Sequence, residues 1–253
     1  MFGSVQRHLH RNPFRWLFYC AAGNPRVAEL NRAWRVLRSV CTLTVPAAAQ
    51  ILDAGCGQGT YSLWLSHRFP EGSVVSVDED QRSLDDLRLL VARERRRNIT
   101  VAALKLEQLE VREAYDLIVC VDVIEHISDD VRAVTNLRRA LKPRGRLILH
   151  VPQRGQRHQF LRRSFGPGHH HCREGYAPEE LVQLVRRSGL TPVSLEQSFG
   201  SLATLSCEID ELLWTSRLYP AWLAVYPLLL AVMWWDVRRP VRHGHGLLAV
   251  AER

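Results

Sequence analysis

None of the six cysteines (Cys20, Cys41, Cys56, Cys120, Cys172 and Cys207) belongs to a C-x-x-C pair. Thiols scattered in this way argue against a zinc ribbon and a disulfide framework, and for a reducing compartment. There is no internal repeat and no low-complexity tract. A secretory core is missing as well. The run Trp16 to Ala22 follows Arg7, Arg11 and Arg15 but is too short, and Phe18 and Tyr19 before Cys20 lack the small side chains of a lipoprotein site. We read this run as the first amphipathic element of a cytoplasmic protein.

Acid is scarce in two stretches. Residues 1–40 hold seven Arg against Glu29 alone, and residues 142–173 hold eight Lys or Arg and no acid, within a formal net charge of +8. Such patches attract an anionic membrane, nucleic acid or an acidic substrate, and they serve equally well as solvated helix faces. No RNA-binding module and no aromatic-rich basic stripe accompanies them, so nucleic acid is not an expected partner.

What is present is enough for one sizeable α/β domain with an appendage: 253 residues, 46% of them hydrophobic. Val27, Leu30, Trp34, Leu37 and Val40 recur at helical spacing, with Arg on the other face. From residue 48 onward, apolar runs alternate with helical segments. Strands are expected at Ile51-Leu52, Ser73 to Val77, Ile99 to Leu104, Asp116 to Val121 and Arg146 to Val151. Helices are expected at Tyr61 to Phe69, Ser83 to Arg96 and Val131 to Leu141, the last stopped by Lys142-Pro143-Arg144-Gly145. Ala177-Pro178-Glu179-Glu180 opens another helix to Ser188, and strands follow at Thr191 to Phe199 and Gly246 to Ala251. This order implies an α/β fold, a doubly wound, seven-stranded and mostly parallel sheet, with N-terminal helices and a helical insertion before the last strand. The divisions are 1–47, basic and helical; 48–199, the core; 200–245, the apolar insertion; and 246–253, the final strand.

The first strand runs into Asp53-Ala54-Gly55-Cys56-Gly57-Gln58-Gly59, a glycine turn that opens a helix. In open α/β sheets this turn, at the carboxyl ends of the strands, is where cofactors sit. Thr60 replaces the last glycine of a dinucleotide fingerprint. Asp53 adds a negative charge that would repel a pyrophosphate and welcome a cationic group. The second strand ends at Asp78, where a carboxylate can accept both hydroxyls of a ribose; the alternative is that Asp78-Glu79-Asp80 caps the next helix.

Taken in order, I-L-D-A-G-C-G-Q-G-T, V-V-S-V-D, Y-D-L-I-V-C-V-D-V-I-E-H-I and L-K-P-R-G-R-L-I-L-H-V-P resemble the motifs of class I S-adenosylmethionine-dependent methyltransferases. They are most similar to the ubiquinone and menaquinone branch, over roughly residues 48–199. The resemblance implies a Rossmann-like fold and S-adenosylmethionine as cofactor. Asp53, Gly55 and Gly57 would line its methionine moiety and Asp78 its ribose, with Cys56, Gly59, Glu79, Leu106 and Asp122 completing the cofactor-binding set. Where the family usually shows Asp after the third strand, this chain has Lys105, which offers donors only. Either Glu107 or the Leu106 backbone would then meet the adenine.

The acceptor's base is sought in Asp122-Val123-Ile124-Glu125-His126, where His126 and Glu125 are the catalytic candidates, since imidazoles titrate near neutrality. Both could equally brace the following helix. His150 points to the same rim. His169-His170-His171-Cys172-Arg173-Glu174-Gly175-Tyr176 resembles a segment in which His171, Arg173 and Tyr176 close over the substrate. Three adjacent histidines rarely converge on one ion, so no metal site is expected.

The expected reaction is methyl transfer to a small or lipid-like acceptor. A protein or nucleic-acid methyltransferase and a non-catalytic binding protein of the same fold are the alternatives. Leu218 to Trp235 carries no charge over eighteen positions, about 27 Å as a straight helix. Pro220 and Pro227 predict a break in it. The expectation is a broken hairpin, either a soluble lid or a peripheral contact through 212–239 with the inner face of the membrane.

Overall fold

Successive residues of the central strands face opposite ways, and both faces are buried. In the computed structural model, which describes residues 26–155, 172–216 and 218–253, this makes a seven-stranded sheet in the order β3-β2-β1-β4-β5-β7-β6. The strands are β1 (Gln50–Ala54), β2 (Ser73–Asp78), β3 (Ile99–Ala103), β4 (Tyr115–Val121), β5 (Leu141–Pro152), β6 (Thr191–Ser198) and β7 (Gly246–Glu252). The helices are α1 (Val27–Thr42), α2 (Thr60–Arg68), α3 (Gln81–Arg93), α4 (Asp130–Ala140), α5 (Pro178–Arg187), α6 (Ser201–Thr215) and α7 (Tyr219–Val237). Only β7 runs antiparallel to its neighbours, β5 and β6.

Ile51, Leu117, Val119 and Ile148 point to the layer formed by α1 and α2, where Val36, Val40, Leu65 and Phe69 meet them. Leu52, Ile118, Leu147 and Leu149 point to the other layer, against Leu137 of α4 and Leu181 and Leu184 of α5. Burying each such side chain contributes about 1.5–3 kcal/mol, so register is firmly set where both faces are covered.

Three expectations are corrected. The strand expected at Arg146 begins at Leu141. Lys142-Pro143-Arg144-Gly145 is a bulge within it, because Leu141 already pairs with Tyr115 and Arg144 takes a φ of +63°. The α1 arginines do not all face water. Arg32 reaches Asp122 (2.9 Å) and Arg35 reaches Asp236 (2.7 Å). The apolar run is not broken: α7 is one helix of 19 residues with Pro220 in its first turn and Pro227 inside it. The hairpin is α6 against α7, which pack on α1 through Ala203, Trp222, Tyr226 and Met233.

Candidate cofactor and acceptor site

The turn after β1 is packed at one glycine and open at another. The N–H groups of Gly55 and Cys56 both donate to the Val77 carbonyl, at 2.8 and 2.9 Å, which ties the turn to the end of β2. Gly55 has a φ of +76°, and a Cβ there would lie 2.2 Å from Val123 Cγ2. Only glycine fits. Gly57, at φ +50°, faces open space, since a Cβ there would meet nothing within 4 Å among the described residues. Cys56 is buried beside them, and Gly59 leads into α2.

Asp78 holds this open glycine. Its Oδ2 accepts from the Gly57 N–H at 2.8 Å and its Oδ1 from the Asp80 N–H at 2.9 Å. A carboxylate offers about four lone-pair positions, so roughly two remain for a pair of vicinal hydroxyls. The helix cap is Asp80, which accepts from Arg82 N–H and the Ser83 hydroxyl. Capping therefore does not account for Asp78.

Asp53 is placed differently from the expectation that it lines a ligand. It is buried beneath the turn and accepts from the Ser62 hydroxyl at 2.5 Å, while the Ser76 hydroxyl donates to that of Ser62 at 2.8 Å. Burial pushes the carboxyl up to about 7, against the lowering effect of Ser62. Its role is to fix the start of α2 under the glycines. Glu79 is exposed and lies 3.7 Å from Lys105 Nζ, itself exposed; an exposed pair of this kind is worth about 0–1 kcal/mol. Leu106 is buried, and Asn136 Nδ2 donates to the carbonyls of Leu106 and Glu107, both at 3.0 Å. Asn136 escaped the sequence reading; a buried amide inside α4 was its only signal.

A second cluster lies at the ends of β4, β5 and β6. Asp122, with φ +52°, presents Oδ1 to His150 Nδ1 at 2.6 Å and Oδ2 to Arg32 Nε at 2.9 Å. His150 Nε2 is 3.0 Å from the Ser198 hydroxyl. Burial works against the Asp122 carboxylate, yet Arg32 and His150 together hold it down to about 2. Asp122, expected at the cofactor, is engaged through both carboxylate oxygens here, with one partner on each, as Asp78 is at the glycine turn. Neighbouring Glu125 goes the other way: burial first, then the Asp122 charge, push its carboxyl well up, and its Oε2 has no hydrogen-bond partner among the described residues. Two nearby carboxyls driven in opposite directions mark a functional pair in general.

His126 is exposed on the same loop. The loop is clasped by the following segment: Cys172 and Arg173 N–H donate to the Glu125 carbonyl at 3.0 and 3.3 Å, and Arg173 pairs with Asp130 at 2.6 Å. Tyr176, expected in the catalytic set, is a strut instead. Its ring is buried and its hydroxyl donates to Asp130 at 2.8 Å. His171 lies outside the described residues, as do His169 and His170. Among the described residues no group of three His, Cys, Asp or Glu could hold a metal ion.

Residues 51–145 match a family model described as a methyltransferase domain. These residues thus resemble a methyltransferase domain, set on a Rossmann-like sheet order. The ubiquinone biosynthesis O-methyltransferase of Acinetobacter baumannii (strain AYE) is 25% identical over 155 residues, covering 57% of this chain and 65% of that protein. An uncharacterized methyltransferase of Schizosaccharomyces pombe is 28% identical over 143 residues, covering 53% and 51%. The chain therefore spans less than two thirds of the length of these relatives. Among solved structures, phosphoethanolamine N-methyltransferase 2 of Haemonchus contortus with S-adenosylmethionine superposes with a TM-score of 0.64 at 16% identity, covering 99% of this chain and 60% of that one. A methyltransferase from Aquifex aeolicus gives 0.56 at 17%, covering 69% and 93%. These two likenesses show the fold. The residues fit the cofactor of this class: open space at Gly57, and unused lone pairs on Asp78 for the ribose.

Proposed function

We propose that the chain transfers the methyl group of S-adenosylmethionine to a small lipophilic acceptor, by O- or C-methylation. The observation that carries this reading is the contact of Asp78 with Gly57, which holds a carboxylate beside an open glycine at the carboxyl edge of the sheet. Bound there, the cofactor supplies an electrophilic methyl carbon on a sulfonium sulfur. The chain's own tasks are to bind, to align the acceptor and to take a proton from it where the acceptor atom is a hydroxyl oxygen.

Gly57 lets the backbone approach the cofactor, Gly55 packs the turn against Val123, and Asp78 accepts from the ribose hydroxyls. Burial, and then the Asp122 charge, disfavour the ionised form of Glu125 that a base requires. His126, exposed on the same loop, takes the acceptor's proton. The Asp122–His150–Arg32 cluster positions that loop and does not itself touch the acceptor. Two features support a lipophilic acceptor: the apolar helices α6 and α7, inserted between β6 and β7, and the ubiquinone pathway named for the Acinetobacter relative.

Incubation with methyl-labelled cofactor and separate lipid, RNA and protein fractions tests the reading. Label in the lipid or small-molecule fraction supports it. Label in RNA or protein would transfer the assignment to a macromolecular acceptor. Cofactor binding with no transfer to any fraction would leave a non-catalytic binding protein.

A further inference from the structure

Among the described residues, helix α7 turns one face inward and leaves the other uncovered. Two polar anchors fix its rotation. Asp236 accepts from Arg35 at 2.7 Å and from Asn31 at 3.1 Å, both on α1. Trp222 Nε1 donates at 2.8 Å to Asp210, which also pairs with Arg26. With that rotation set, Leu223, Leu228 and Trp234 are 56%, 64% and 54% exposed, and Trp235 is exposed beside them. Isolated exposed hydrophobes are ordinary on a protein surface, but an apolar stripe along a whole helix marks a contact surface.

The chemistry changes abruptly at the carboxyl end of α7. Arg238 lies 3.7 Å over the Trp234 ring and Arg239 3.9 Å over that of Trp235. Arg242 and His243 are exposed next to them. From Leu212 to Ala251 the single acidic residue is Asp236, and it is buried. The exposed surface here is therefore apolar, aromatic and positive, with no exposed carboxylate to neutralise the arginines from within this segment.

We propose that this face docks on an anionic lipid surface, with α7 lying in the plane of the headgroups. Tryptophan favours the boundary between hydrocarbon and water, and arginines beside it are drawn to anionic headgroups. A second copy packed symmetrically through this same face would bring its own arginines, not anions, to Arg238, Arg239 and Arg242. By length and composition α7 could cross a bilayer, but its inward face is committed to α1 and α6. The strands on either side of the insertion, β6 and β7, also pair directly in one sheet. Pro227 deprives the Leu223 carbonyl of its helical donor on the outward face, so water must still reach it there. All three point to a shallow, peripheral seat.

The test is flotation of the full chain with vesicles of phosphatidylglycerol and phosphatidylcholine, or of phosphatidylcholine alone, at low and high salt. Calorimetric binding of S-adenosylmethionine serves as the folding control. Co-flotation is expected with the anionic vesicles at low salt, weakening as salt rises. The double variant Leu223→Glu, Leu228→Glu and the double variant Arg238→Glu, Arg239→Glu should each lower it by about tenfold or more, with cofactor binding unchanged. No co-flotation of the parent chain would overturn the proposal. So would flotation indifferent to both double variants, or a concentration-dependent dimer in sedimentation that Leu228→Glu abolishes while vesicle binding is absent. Because the control reads the cofactor site, each of these failures is distinct from failure of the methyltransferase reading.

Discussion

His150 Nδ1 lies 2.6 Å from the Asp122 carboxylate, joining the ends of the two central strands β4 and β5. The other oxygen of the same carboxylate carries Arg32 of α1 at 2.9 Å. One acid therefore links the helical layer that covers the sheet to the rim of the site, and it does so from a left-handed backbone, φ +52°. A residue other than glycine in that conformation persists only where its surroundings hold it.

Replacing Asp122 by Asn keeps the shape and removes the charge. Arg32 then loses its ion pair with the Asp122 carboxylate in a mostly buried position, and we expect a loss of about 2–3 kcal/mol in urea unfolding. The Asp122 contribution is present above about pH 4 and fades as pH falls toward about 2, because its carboxyl is held low in the folded chain. The difference between parent and variant should therefore shrink in acid. A difference that is constant down to pH 2 would contradict this role.

Asp53 predicts the opposite trend. Its carboxyl is raised to about 7 by burial, so the stability tied to its protonated form is complete below about pH 4 and is lost as pH rises through 7. Asp53→Asn, which can still accept from Ser62, should flatten the decline between pH 5 and 8, by on the order of 3 kcal/mol at most. Part of the decline should persist, because Glu29 is also raised to about 7, chiefly by burial. Thermal melts across that range check it.

His126 is the group assigned to proton removal. His126→Gln should lower kcat by about a hundredfold and leave KM within a few-fold. An acceptor that needs no deprotonation would leave kcat unchanged.

Lys105 is exposed beside Glu79, and in the proposed cofactor site it would offer only donors to an adenine amino group that needs an acceptor. Lys105→Asp should tighten S-adenosylmethionine binding several-fold if the acceptor is missing. If Glu107 already supplies it, Glu107→Ala should weaken binding instead. Calorimetry separates the two.

The parts of the fold that were legible in the sequence are those fixed by local periodicity. The helical spacing of Val27, Leu30 and Val40 marked α1, and the apolar run at residues 116–121 marked β4. What escaped was set by partners distant in the chain. Nothing near Lys142-Pro143-Arg144-Gly145 announces that Leu141 will pair with Tyr115, so a bulge read as a helix stop. Pro227 read as a break, but it lies on the exposed side of α7, where its missing donor disturbs no packing. At the site, Gly57 and Asp78 were legible because the glycine turn and the strand end sit at a recognisable spacing. Asp53 and Tyr176 were assigned to ligands because their motif position says nothing of whether Ser62 and Asp130 will satisfy them first. Arg32 and Asn136 reach their partners only once the helices have packed.

The central claim is that the glycine turn and Asp78 hold S-adenosylmethionine, and calorimetric titration of the parent chain and of Asp78→Ala tests it most directly. The parent should bind the cofactor and its demethylated product. The variant loses two charge-assisted hydrogen bonds to the ribose as well as the brace on Gly57, and should bind both roughly 10- to 100-fold more weakly. No binding by the parent, or the same affinity in the variant, would contradict the account.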